Sequence, residues 1–219
     1  GKAGFGLSGV VNAGHAADIA VVSAGPNAGE VVAAWGTTTP VLGLRYRIYR
    51  TNAAAPAWDA SPSNGPTLAA GNQPNWVRLR ADESGKVVAA VETVNEEIRT
   101  AVFDGSSRTW GSFSAAHSTT AFGNADNNRA FDLVFDRAAG AGRMLLAYSD
   151  TAGIKYRTSS DGGASWSGQQ TLTVLYQAHW VQLERDPSNV VHLVIKDQAN
   201  DLRAWKWTAA TYMTRHMTL

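Results

Sequence analysis

The chain has 219 residues, a formal net charge of +1 and no cysteine. The length suits one sizeable core or two small ones, and the missing cysteine excludes disulfides, thiolate metal sites and a cysteine nucleophile. Charged residues make up only 17% and are scattered, which argues against a nucleic-acid or anionic-membrane footprint, and no apolar run approaches the roughly 18 residues of a membrane-spanning helix.

In chain order, residues 1–15 are rich in Gly and Ala, with a short apolar stretch at 7–11 that reads as a strand. Asp18-Ile19-Ala20-Val21-Val22 follows as a second strand. It leads through the turn Gly25-Pro26-Asn27-Ala28-Gly29 to Val31-Val32-Ala33-Ala34-Trp35. This strand pair recurs three times. Trp76-Val77-Arg78-Leu79-Arg80 leads into Val87-Val88-Ala89-Ala90-Val91, and Phe131-Asp132-Leu133-Val134-Phe135 into Met144-Leu145-Leu146-Ala147-Tyr148. Trp180-Val181-Gln182-Leu183-Glu184 leads into Val190-Val191-His192-Leu193-Val194. Period-2 alternation is widespread, and no segment keeps a helical apolar period.

A third strand recurs with each pair, marked by an aliphatic residue and then a base: Leu44-Arg45, Ile98-Arg99, Ile154-Lys155 and Leu202-Arg203. A tryptophan follows the next hairpin loop at Trp58, Trp110 and Trp166. The spacing of about 50 residues, with four short strands per copy, is that of a propeller blade. The expected fold is therefore all-β, a β-propeller of four repeated four-stranded blades forming one domain over 1–219. The approximate repeats are 17–75, 76–130, 131–179 and 180–219, with 1–15 a possible ring-closing strand. Two architectures stay open: a closed four-bladed ring, or part of a larger propeller completed by further blades or by self-association.

The stretch Ser159-Ser160-Asp161-Gly162-Gly163-Ala164-Ser165-Trp166 is a hairpin loop whose Asp can cap backbone N–H groups and whose glycines permit positive φ. Its order Ser-x-Asp-x-Gly-x-Ser-Trp resembles the Asp box of the sialidase and bacterial-neuraminidase-repeat β-propellers, through Ser159, Asp161, Gly163, Ser165 and Trp166. Asp104-Gly105-Ser106-Ser107-Arg108-Thr109-Trp110 is a degenerate copy with one extra residue, and Asn52 to Trp58 a more decayed one. The resemblance implies a propeller with this box on the blade periphery, away from a central site. It does not imply catalysis, since many propellers that carry the box are not enzymes.

Sialidases of that family also carry an Arg-Ile-Pro element, three carboxylate-binding arginines, a Tyr–Glu nucleophile pair and an Asp acid. The nearest fragment, Tyr46-Arg47-Ile48-Tyr49, has Tyr where Pro belongs and sits inside a repeated third strand. No flanking motif singles out three arginines, and nothing pairs Asp150 or Asp18 with a second carboxylate at glycosidase spacing. The recurring base at Arg45, Arg99, Lys155 and Arg203 reads either as a positive ring for anionic sugars or as inter-blade stems with paired heads. A position away from the central channel favours the second.

The loops expected at the central mouth join second to third strands (37–39, 93–97, 150–153, 196–200) or lead into first strands (15–17, 72–75, 124–128, 177–179). They are rich in amides, carboxylates and hydroxyls that suit sugar hydroxyls. The candidate ligand-binding set at this rim is Asn75, Trp76, Asn128, Asp150, His179, Trp180 and Asn200. The bland alternatives are loop polarity and Trp used for inter-blade packing. No catalytic residue, metal site or cofactor site is indicated. The expectation is a binding or scaffold module, extracellular or at the cell surface, for a glycan or protein partner. The competing readings are a divergent or partial sialidase-like hydrolase and an architectural unit that closes by self-association. High Ala and Gly, with Arg in excess of Lys, fit a GC-rich bacterial genome.

Overall fold

The computed structural model describes residues 17–118, 129–139, 142–208 and 211–218, with Thr208 and the last eight described by their backbone alone. The expected strand at 7–11 and the candidate Asn128 lie outside these. The described chain forms four antiparallel sheets in sequence order. Sheet 1 holds β1 (Ala17–Val21), β2 (Val31–Thr37), β3 (Gly43–Arg50), β4 (Ala57–Trp58) and β5 (Ser63–Thr67); sheet 2 holds β6 (Pro74–Ala81), β7 (Lys86–Thr93), β8 (Ile98–Asp104), β9 (Thr109–Trp110) and β10 (Ser114–His117). Sheet 3 comprises β11 (Phe131–Phe135), β12 (Met144–Asp150), β13 (Gly153–Ser159) and β14 (Gln170–Thr173). Sheet 4 comprises β15 (Ala178–Arg185), β16 (Val191–Asp197), β17 (Leu202–Thr208) and β18 (Thr211–Thr218).

In sheets 1 and 2 the expected fourth strand is broken into two short pieces, both paired with the third strand. Pro62 ends the break in sheet 1, just before β5, where a residue without N–H cannot continue a ladder.

The first strands stand side by side, β1 against β6, β6 against β11 and β11 against β15. Three apolar cores fill the gaps between successive sheets. One joins Val32, Ala34, Leu44 and Ile48 to Val77, Leu79, Val87 and Phe103. The second joins Val88, Ala90 and Ile98 to Phe131, Leu133, Met144 and Leu146. The third joins Leu145, Ala147 and Ile154 to Val181, Leu183, Val191 and Ile195. A sheet covered on both faces needs a continuous apolar second strand, and β2, β7 and β12 read that way. Strand β16 instead alternates, with His192, Val194 and Lys196 exposed. Leu202 is 44% exposed, whereas its counterparts Leu44, Ile98 and Ile154 are fully buried. At the opposite end Ile19 is 65% exposed while its counterparts Leu79, Leu133 and Leu183 are buried.

In sheets 2 and 3 the loop after the third strand grips the preceding sheet. In sheet 3, Asp161 accepts the Ser165 N–H and hydroxyl and the Ser159 hydroxyl, and Ser159 Oγ also accepts the Gly163 N–H. Gly163, at φ +87°, lies so close to sheet 2 that a Cβ would sit 3.0 Å from Val88. Its carbonyl accepts the Thr100 hydroxyl, which itself accepts the Trp166 indole N–H at 3.0 Å. The corresponding loop of sheet 2 folds around Asp104, which accepts the Ser106 N–H and hydroxyl, and receives Asn27 of sheet 1 on the Gly105 carbonyl. Trp110 packs edge-on against Tyr46, the sheet 1 counterpart of Thr100, at 6.1 Å. Trp58 and Trp110 occupy one register position, opposite Tyr49 and Phe103.

Gly163→Ala is expected to cost about 1–3 kcal/mol by imposing strain at a left-handed position. Thr100→Val removes both bonds and is expected to cost about 1–3 kcal/mol. Urea unfolding midpoints measure both, and unchanged midpoints would show that the loop does not hold the sheets together.

Burial raises the Asp161 pKa, but bonds from Ser165, Ser159 and the Ala164 N–H outweigh it and bring it down to about 2, from 3.8. The stabilisation is complete above the unfolded value and lost as pH falls toward 2. Asp161→Asn should therefore show a flatter stability profile than the parent between about pH 5 and pH 2, and parallel profiles would refute the capping role.

Candidate functional site

The first strands carry a charged ladder through an otherwise apolar interior. Opposite Ala34, Ala90, Ala147 and Val194 in register stand Asp18, Arg78, Asp132 and Gln182. Asp132 is fully buried and accepts Arg78 Nε at 3.2 Å and Arg80 Nη2 on both oxygens at 3.0 Å. Its Oδ1 also accepts the N–H of Leu133 and its Oδ2 that of Leu183 on the next first strand, both at 2.9 Å. Asp18 repeats this clasp one pair of sheets earlier, taking the Ile19 N–H on Oδ1 and the Leu79 N–H on Oδ2. Arg78 reaches back to Asp18 at 3.5 Å, so it lies between two carboxylates.

At the end where the first strands begin, Arg129 closes the ladder. Its backbone bridges Trp180 in parallel, and its carbonyl accepts the Val181 N–H at 2.9 Å. Its guanidinium donates to the Val181 carbonyl and to Gln182 and lies 4.3 Å above the Trp180 ring. Burial brings the Arg129 pKa down to about 10; Asp132 opposes the shift and the nearby charges of Arg78 and Arg80 add to it. Trp76 meets Trp180 edge-on, with centroids 5.7 Å apart. These two residues hold the same register position in sheets 2 and 4, opposite Glu92 and Lys196. Trp76 is 8% exposed and Trp180 36%.

Trp76 and Trp180 are thus the two predicted rim residues that meet. Asn75 is buried beside Trp76, out of a ligand's reach. His179 is half-buried next to Trp180 in the chain. Asp150 caps its turn, accepting the Ala152 N–H at 2.7 Å, and Gln169 reaches its second oxygen at 3.5 Å. Asn200 is exposed at φ 69°, a conformation that asparagine tolerates well. Rim loops bond to one another, Val94 N–H to the Gln73 carbonyl and Gln198 to Gln177.

The recurring base is engaged locally. Arg99 pairs with Glu97 and Arg203 with Asp197, each at 2.6 Å, while Lys155 donates to Thr171 and Arg45 to the Pro62 carbonyl. Arg203 stacks on Tyr176, at 3.9 Å. Arg47 of the Arg-Ile fragment lies in β3 and donates to the Ala60 carbonyl, away from the ladder.

Two clefts lie elsewhere. One of about 520 Å³ opens between sheets 2 and 3 at the opposite end, where Asp82 and Asp161 are already satisfied by their own turns. The other, of about 390 Å³, lies between sheets 1 and 2 and is lined by Tyr46, Asn64 and Trp110. Among the described residues no group of three His, Asp or Glu side chains gathers in metal-binding range.

Sequence reasoning missed Arg129 and the roles of Arg78, Arg80 and Asp132. The signal for Arg78, Arg80 and Asp132 was a charge inside first strands that are otherwise apolar, whereas Arg129 stands outside the strands and left no such pattern.

No family model and no curated protein matches the chain. Solved structures do, at low identity. The Aleuria aurantia lectin bound to α-methyl-L-fucoside has TM-score 0.63 and 11% identity, over 98% of this chain and 64% of the lectin. The intramolecular trans-sialidase from Ruminococcus gnavus has TM-score 0.57 and 11% identity, over 91% of this chain and 41% of that one. A NanB sialidase from Streptococcus pneumoniae has TM-score 0.53 and 18% identity, over 80% of this chain and 28% of that one. The chain thus spans less than two thirds of each. These likenesses establish a β-propeller-type fold.

Removing one partner of a buried ion pair leaves the other charge uncompensated. Asp132→Ala is expected to destabilise by about 3–5 kcal/mol. Glu83→Ala, at a pair with Arg137 that is exposed, should cost about 0–1 kcal/mol. Equal losses in chemical denaturation would remove the ladder from its structural role.

Proposed function

We propose that the chain is a non-enzymatic, glycan-binding β-propeller module whose ligand rests on Trp180 at the axial rim. The observation that carries this reading is the Trp180 ring. It is a third exposed, backed by the Arg129 guanidinium and buttressed edge-on by Trp76. An aromatic face fixed in this way stacks on the apolar face of a pyranose at little entropic cost, and amides and hydroxyls in the adjoining loops suit the ring hydroxyls. The fold shared with a lectin that binds a fucoside supports the reading. It carries with it an extracellular or cell-surface location, where free and cell-borne glycans are met.

In this reading the four sheets are four blades of an open arc with the curvature of a larger wheel. The exposed Ile19 and Leu202 at its two ends support that over a closed four-bladed ring, as does superposition on 64% of a lectin described as six-bladed. Sedimentation at micromolar concentration tests the accompanying self-association reading, which requires dimers or larger species.

The sialidase folds among the neighbours favour a second reading, a divergent glycoside hydrolase. It requires two carboxyl groups across a scissile bond. Asp18 and Asp132 already accept backbone N–H groups and face arginines, and Asp150 caps its own turn.

On a glycan array the parent chain should bind, and Trp180→Ala should weaken the strongest interaction at least about tenfold, a loss of about 1.4 kcal/mol, with an unchanged circular-dichroism spectrum. Undiminished binding would move the ligand elsewhere. Fluorogenic sialosides should release no aglycone, and release that Asp150→Asn abolishes would establish the hydrolase instead.

A further inference from the structure

We infer that the Trp180 site prefers hexopyranoses with an exocyclic acid group, a uronate or a sulfate ester, over their neutral counterparts, and that Lys196 takes the acid. The inference rests on the glycan reading above and names the ligand class of the same site. Lys196 stands directly opposite Trp180 in the antiparallel ladder of β15 and β16, and both side chains are exposed. Cross-strand partners project from the same face with their Cβ atoms about 4.5–5.5 Å apart. A pyranose ring and its exocyclic carbon span a comparable distance. A sugar seated on the indole thus brings its acid group to the ammonium, which keeps water on its outer side.

The ammonium is uncommitted. Among the described residues no carboxylate lies within ion-pair distance of Lys196. The acids of the adjoining turn are engaged, Asp197 accepting Arg203 Nε at 2.6 Å and Asp201 accepting its Nη2 at 3.0 Å. Glu184 shares the face of Lys196 but lies two rows along it, opposite His192. On its other side Lys196 is paired with the exposed Leu202, so the cation stands between an indole and an aliphatic side chain. The arginines of the ladder are less accessible: Arg129 is 3% exposed with Asp132 at 3.9 Å, and Arg78 lies between Asp18 and Asp132. Lysine is a compact charge without the planar fork of arginine, so it accepts a planar carboxylate or a tetrahedral sulfate. An ion pair this exposed adds little affinity and is screened by salt, which sets both the size and the signature of the preference.

Matched pairs test this by calorimetry: methyl β-D-glucuronide against methyl β-D-glucoside for the carboxylate, and galactose 6-sulfate against galactose for the sulfate. In at least one pair the acid member should bind at least about threefold more tightly at low salt, and that pair identifies the acid. The excess should vanish as NaCl rises from about 20 mM to about 500 mM, a readout on the parent chain that stands whether or not a variant folds. Lys196→Met keeps the stem without the charge and should bring the pair to equal affinity. Lys206→Met, at a base two rows away on the same face, should leave the preference as it was. Equal binding of both members by the parent chain, weakened by Trp180→Ala, overturns the acid preference and leaves the Trp180 site standing. A preference that survives Lys196→Met overturns the role of Lys196. Absence of binding by every member, or binding that Trp180→Ala leaves untouched, overturns the glycan reading of this site and the inference with it.

Discussion

The structure depends on a carboxylate that has no water around it. Asp132 is fully buried, and its charge is tolerable because two arginines of the preceding first strand and an N–H of the following one converge on it. Desolvating such a group costs several kcal/mol, and attraction repays this only when geometry is good and every lone pair is used. That condition couples three sheets at one atom group. Asp18 applies the same two-bond clasp to sheets 1 and 2. The sign order Asp18, Arg78, Asp132 fixes which sheets are neighbours, and the backbone bonds fix their register. A slip of one residue would turn the whole ladder toward the apolar faces.

Away from the axis the sheets are held by apolar packing and by the loops that grip the preceding sheet. The contact of Trp166 with Thr100 recurs between sheets 1 and 2 as Trp110 against Tyr46, with an aromatic edge replacing the hydrogen bond. This substitution leaves the Trp110 indole N–H buried without an acceptor, so the first inter-sheet seam is the less satisfied of the two. Charge and packing thus act at different radii, the first specifying order and the second supplying most of the burial.

Much of this was legible in the sequence because period-2 strands with an apolar core leave a strong imprint. The first and second strands were found within a few residues of their ends, since runs such as Val87-Val88-Ala89-Ala90-Val91 admit few other readings. The broken fourth strands were not foreseen, because strands of two residues have no periodicity to detect. At the rim, Trp76 and Trp180 are marked in the sequence by their place at strand starts, and they touch. Loop composition alone points to Asn75, which is buried, and to Asn200, which sits at a backbone conformation that asparagine suits. The axial ladder escaped notice because a charge in a strand reads as solvent-facing until the neighbour that neutralises it is known. Arg78 and Asp132 are 54 residues apart.

The exposure of Trp180 is itself a consequence of architecture. Trp76 occupies the same register position in sheet 2, yet it is buried because sheet 3 follows it. Trp180 belongs to the last described sheet, so two occupants compete for its face: a ligand, or a further sheet of the same kind. The side chains around it distinguish them. Where the inner sheets bury Val88 and Ala90 or Leu145 and Ala147, sheet 4 exposes His192 and Val194, and Lys196 stands where Glu92 and Ser149 are buried. Covering this face with an apolar sheet would desolvate the Lys196 ammonium and the His192 ring, which bonds Asp186 at 3.0 Å. A small ligand seated on the indole leaves both in water, and the alternating pattern of β16 is that of a half-solvated sheet. Among the described side chains of sheet 4, Trp180 is the large aromatic ring left partly exposed.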